Sequence, residues 1–93
     1  MHYLYIIYSN SIDKYYVGET TDPEFRLKLH NQHAFERSFS KIASDWELLL
    51  KIKCTSKEDA IYLERFVKRM KSRKFIQKIL IQPEILNDIL SKK

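Results

Sequence analysis

With 93 residues and 44% hydrophobic content, the chain can bury one modest core and has no mass for a second, so a single domain over residues 1–93 is expected. Formal charge is +5, but residues 1–64 hold 8 Lys/Arg against 10 Asp/Glu and residues 65–93 hold 9 against 2, giving halves of −2 and +7. A basic half of that kind points to a polyanion, either nucleic acid or an anionic membrane surface, or else to a solvated basic helix face.

In chain order, YLYIIYS at 3–9 is aromatic and β-branched, breaks at the polar cluster NSID, and is followed by KYYVGE of the same character. This reads as a β-hairpin with strands near 3–9 and 14–19. The run YLYIIY is too short to span a bilayer and lacks the basic flank and cleavage site of a signal peptide, which implies a soluble, cytoplasmic protein. In TTDPEF, Thr21 and Glu24 have capping-box spacing, while Asp22 and Pro23 read equally well as N-cap and first helical residue. A helix starts there, carries Phe25 and Leu29 on one face, and fades by residues 31–33. Residues 34–44 show neither period and read as a loop.

DWELLLKIKCT sets Trp46, Leu48, Leu50, Ile52 and Cys54 on one face at period two, a half-buried third strand. Cys54 suits a buried structural thiol there, and a lone cysteine excludes an internal disulfide. After the cap signal TSKED, Ala60, Leu63, Val67 and Met70 form an amphipathic stripe, with Glu64, Lys68 and Lys71 on the other face. SRKFIQKILI and, from Pro83, PEILNDILSK add two more helices. The order β-β-α-β-α-α-α predicts an α/β protein of the α+β type: a small three-stranded antiparallel sheet, opened by the hairpin and flanked by helices.

One small constellation carries chemistry. Tyr5 and Tyr16 lie on the two hairpin strands, and Arg26 and His30 are i, i+4 on the first helix, side by side. If that helix packs beside the hairpin, two phenols, a guanidinium and an imidazole converge. Such a set suits phosphate chemistry: the guanidinium grips a non-bridging oxygen and His or Tyr handles a proton. Gly18 reads as a structural turn at this site, where the second strand ends and where φ > 0 or a close phosphate backbone would exclude a Cβ. An ordinary bulge or turn glycine is the plainer alternative.

The pattern resembles the GIY-YIG nuclease superfamily, in particular its small stand-alone bacterial members, over nearly the whole chain. YLY at 3–5 stands at the GIY tripeptide, YVG at 16–18 at the YIG tripeptide, and RLKLHN at 26–31 at the Arg-x-x-x-His-Asn helix. SKEDAIYLERFVKRMKSRK at 56–74 resembles the helix that bears the metal-binding glutamate. The resemblance implies functional roles for Tyr5, Tyr16, Arg26, His30 and Glu64, with Glu64 holding Mg²⁺ or Mn²⁺. Tyr3 replaces the glycine of GIY, and no counterpart of the asparagine found late in some branches can be placed; Asn87 is too poorly anchored to nominate.

The function so implied is metal-dependent endonucleolytic hydrolysis of DNA, directed by DNA structure or by a partner protein, in repair, recombination or processing. Arg26 would bind the phosphate, and Tyr5 or Tyr16 would take a proton from water, directly or through His30, given a nearby cation that favours phenolate. Arg65, Lys68, Arg69, Lys71, Arg73, Lys74 and Lys78 would supply sequence-neutral phosphate contacts. Alternatives stand beside each reading. The tyrosines suit a strand core, and Glu64 could simply pair with Lys68 for about 0.3 kcal/mol. A zinc site of His30, His33 and Cys54 has too few ligands at suitable spacing. The rival function is a non-catalytic nucleic-acid-binding module of the same fold. A membrane-surface role is poorer, because the basic helices lack a wide apolar face.

Overall fold

The computed structural model describes residues 1–32 and 42–93. Among the described residues, three strands and four α-helices follow one another as β1 (His2–Ser9), β2 (Lys14–Thr20), α1 (Pro23–Asn31), β3 (Trp46–Cys54), α2 (Lys57–Met70), α3 (Arg73–Ile81) and α4 (Glu84–Ser91). The strands form one antiparallel sheet in the order β2-β1-β3. The expected element order and α+β architecture are therefore present. Of the loop expected over 34–44, residues 34–41 lie outside the described residues, and Ala43 and Ser44 belong to no helix or strand.

Leu4, Tyr5, Ile6 and Ile7 are all buried because β1 is the central strand and both faces of the sheet are covered. That is why its sequence is continuously apolar rather than alternating. Leu4, Ile6, Val17 and Cys54 pack with Ala60, Leu63 and Val67 of α2, Ile79 of α3 and Leu86 of α4. Tyr5, Ile7 and Trp46 pack on the other face with Ala43, Tyr16, Leu48 and Leu27 of α1. Each fully buried aliphatic chain contributes about 1.5–3 kcal/mol relative to exposure.

The residues of β3 do not share one face as strict alternation requires. Ile6 is paired with Leu50 but Ile7 with Leu48, so Leu49 is an extra residue bulged out of the ladder. Leu50, Ile52 and Cys54 consequently join the face covered by α2, while Trp46 and Leu48 join the face of Tyr5. A single inserted residue resets the parity of a strand. The apolar stripe of α2 is also shorter than its spacing suggests. Met70 is 47% exposed, because Lys71 adopts a left-handed C-cap (φ 49°) that turns the chain away.

Caps start the helices where the sequence signals them. Asp22, not Thr21, caps α1 by accepting from Phe25 N, with Pro23 as the first helical residue. Ser56 and Ser72 cap α2 and α3 through Asp59 N and Phe75 N. The face of α1 that turns inward is not that of Phe25, which is exposed, but the one bearing Pro23 and His30. A helix that buries an imidazole needs other anchorage, and Asn31 provides it. Its Nδ2 donates to Trp46 O (3.0 Å) and its Oδ1 accepts from Trp46 N (2.7 Å), tying the end of α1 to the start of β3.

Candidate active site

Gly18 lies inside β2, opposite Tyr5. The expectation of a turn with positive φ is corrected: the glycine does not have positive φ, and the strand runs on to Thr20. The missing side chain makes room for a neighbour instead. A Cβ on Gly18 would fall 2.5 Å from Tyr5 Oη and 2.6 Å from Cζ. The Tyr5 phenol therefore lies across the glycine backbone, which sets where its hydroxyl points.

That hydroxyl meets the imidazole of α1, with Tyr5 Oη and His30 Nε2 2.7 Å apart and buried. The Tyr16 ring is 4.9 Å from the His30 ring and 6.4 Å from that of Tyr5, centroid to centroid. Burial lowers the His30 pKa to about 4, with Arg26 adding to the effect, so the imidazole is neutral at neutral pH. Burial likewise raises the Tyr5 pKa well above the ordinary phenol value, and Tyr16, Glu64 and Glu19 add to that, against a lowering by Arg26. The expected cation-favoured phenolate is not what this pocket stabilises at Tyr5. A neutral phenol facing a neutral imidazole can donate its proton to Nε2.

Arg26 acts electrostatically on both Tyr5 and His30, so its charge reaches the pair. Glu64 acts on Tyr5 from α2. Its Oε2 accepts from Lys68 Nζ at 2.8 Å, and the same ammonium stands 5.1 Å from the centre of the Tyr16 ring. The i, i+4 pairing expected for Glu64 is thus present, at the rim of the tyrosine cluster. Glu19, which sequence reasoning passed over, also acts on the Tyr5 phenol. Its Oε2 is buried without a hydrogen bond among the described residues, with His2 Nε2 3.9 Å away. The sequence signal was a carboxylate next to the one glycine.

Among the described residues no group of three or more His, Cys, Asp or Glu side chains could hold a metal. Zinc needs such a group, and Cys54 lies in the core of the opposite sheet face from His30, while His33 is outside the described residues. Magnesium does not need one. It keeps waters and takes one or two carboxylates plus substrate phosphate, a requirement that the oxygen-bearing side chain of Glu64 fits in kind.

The structure sorts the basic residues. Lys68, Lys71 and Arg73 line a groove of about 440 Å³ beside Tyr16, together with Lys14 and Tyr15 of β2. Arg73 is held there by Asp13, through its carboxylate and carbonyl oxygens, and stacks 5.2 Å from Tyr15. Arg65 and Arg69 line a different groove, with Tyr62 and Lys93. Lys74 and Lys78 line neither. Lys14 and Tyr15 were missed because they lie far from the basic half in sequence. Among the described residues no helix is long and apolar enough to cross a membrane.

Comparison with curated proteins and with solved structures finds no match. A family model does match: that of the GIY-YIG catalytic domain, over residues 1–78. It takes in the hairpin, α1, β3, α2 and most of α3, the elements that carry Tyr5, Tyr16, Arg26, His30 and Glu64. The chain belongs to the GIY-YIG family of nuclease domains.

Proposed function

We propose that the protein is a divalent-metal-dependent endonuclease that hydrolyses DNA phosphodiester bonds, with Tyr5, Tyr16, Arg26, His30 and Glu64 as its catalytic set. The observation that carries this is the buried 2.7 Å approach of Tyr5 Oη to His30 Nε2, beside the Tyr16 ring and within the field of the Arg26 charge. A buried pair of proton carriers beside a guanidinium is chemistry for a phosphate.

In this reading Arg26 grips a non-bridging oxygen of the scissile phosphate. Water attacks phosphorus and gives its proton to Tyr5 Oη while Tyr5 passes its own to His30 Nε2, so no free phenolate forms. The incoming phosphate supports the transfer, because an anion beside His30 raises the proton affinity that burial and Arg26 depress. The bond to the 3′ oxygen breaks, and that oxygen takes a proton from solvent. Glu64 would hold Mg²⁺ or Mn²⁺, which when bound neutralises charge on the phosphate and the departing oxygen. Tyr16 walls the site and positions His30.

Residues 1–93 act as one cytoplasmic domain in this reading, in line with α4 sharing the core of the sheet. Binding in this reading is directed by DNA structure or by a partner protein, and serves repair, recombination or processing. The test uses the purified protein and Glu64→Ala on plasmid, branched and single-stranded DNA with Mg²⁺, Mn²⁺ or EDTA. Cleavage that needs both metal and Glu64 is expected. A Glu64→Ala protein cutting at the normal rate would sink the assignment, and salt-sensitive binding without any cleavage would favour the non-catalytic module.

A further inference from the structure

The groove beside Tyr16 is not used by the proton relay, yet it opens from the same site, since Tyr16 and Lys68 belong to both. One wall is β2, the edge strand of the sheet, and the other is the junction of α2 and α3. Its rim is cationic, with Lys14, Lys68, Lys71 and Arg73 and, among the described residues, no acidic side chain lining it. Two of these cations are committed: Lys68 to Glu64 and Arg73 to Asp13. Lys14 and Lys71 make no ion pair with any described residue and stand ready for an anion. Between the cations the lining is apolar, with Val17, Val67 and Ile76.

That combination selects among nucleic-acid forms. A duplex turns its phosphates outward and hides its bases, so an apolar floor gains little from it. An unpaired strand exposes base faces as well as phosphates, and binding sites for such strands pair a positive rim with apolar or aromatic surface. We propose that this groove seats an unpaired DNA strand leading into the Tyr5–His30 site, with Lys14 and Lys71 neutralising its phosphates. The proposal rests on the nuclease reading above and narrows its substrate to DNA with a single-stranded arm next to the cut phosphate.

The experiment is fluorescence anisotropy in EDTA, with labelled oligothymidine and a blunt duplex of equal length, across a salt series. Three proteins are compared: wild type, Lys14→Gln/Lys71→Gln, and Lys53→Gln/Lys92→Gln, which removes the same charge away from the groove. Circular dichroism confirms that each is folded. Wild type should bind the single strand more tightly than the duplex. The groove variant should flatten the dependence of log Kd on log salt by about 1.4, roughly 0.7 for each phosphate no longer neutralised, and the distant variant should leave it unchanged. Equal or tighter duplex binding, or the same flattening in both variants, would overturn the proposal. Because no turnover is measured, a nuclease assay that fails while the groove result holds removes the catalytic reading alone.

Discussion

Tyr5 and Gly18 face each other across the hairpin so closely that a single methyl group on Gly18 would stand 2.5 Å from the tyrosine hydroxyl. The chain's only glycine is thus the seat of a phenol, and the phenol is one half of the Tyr5–His30 pair. Gly18→Ala should displace the ring, break its hydrogen bond with His30 and destabilise the fold by about 1–3 kcal/mol through overpacking. In a Tyr5→Ala background the same change should be nearly neutral. Urea unfolding of the four proteins of this cycle gives the coupling; additive losses would mean that the ring and the glycine do not compete for space.

His30 gives a pH signature. Its pKa is about 4 in the fold, against about 6.5 in an unfolded chain, so between these values the unfolded chain holds the extra proton. The contribution of neutral His30 to stability is complete above about pH 6.5 and is lost as pH falls toward about 4, on the order of 1–3 kcal/mol. Urea midpoints over that window should fall for wild type and flatten for His30→Gln. Parallel curves for the two proteins would assign the acid sensitivity to other groups.

Asn31 clamps the backbone of Trp46 at both its donor and its acceptor. Asn31→Ala removes two hydrogen bonds and leaves partly buried backbone groups unpaired, a loss of about 2–3 kcal/mol. Since the clamp seats the residue next to His30, cleavage should drop more than binding. Trp46 fluorescence should red-shift in the same variant as its surroundings loosen.

The Glu64–Lys68 pair separates stability from function. It is partly exposed, so breaking it should change stability by no more than about 1 kcal/mol. Glu64→Gln should nonetheless reduce magnesium-dependent cleavage by about a hundredfold or more, whereas Lys68→Met should leave cleavage measurable. Paired unfolding and nicking assays decide; a Glu64→Gln protein that fails to fold would place the carboxylate in the scaffold.

The local elements of this fold are readable because each is set by neighbours in sequence. Asp22-Pro23, Ser56 and Ser72 cap helices through a backbone amide three residues on, and the YLYIIYS run is aromatic and β-branched enough to be a strand. The order of motifs likewise places Tyr5, Tyr16, Arg26 and His30 on elements that can meet. What the sequence could not carry is parity and space. The bulge at Leu49 appears only when β3 is paired with β1, because both registers read as alternation along a run of three leucines. The purpose of Gly18 appears only when Tyr5 is laid across it, and the neutrality of His30 only when burial strips its water. Lys14 joins Lys71 at one groove because an edge strand meets a helix junction that is far from it in the chain. Spacing along the chain determines which local structures form, whereas close packing between distant segments decides which groups lose their solvent and which charges meet.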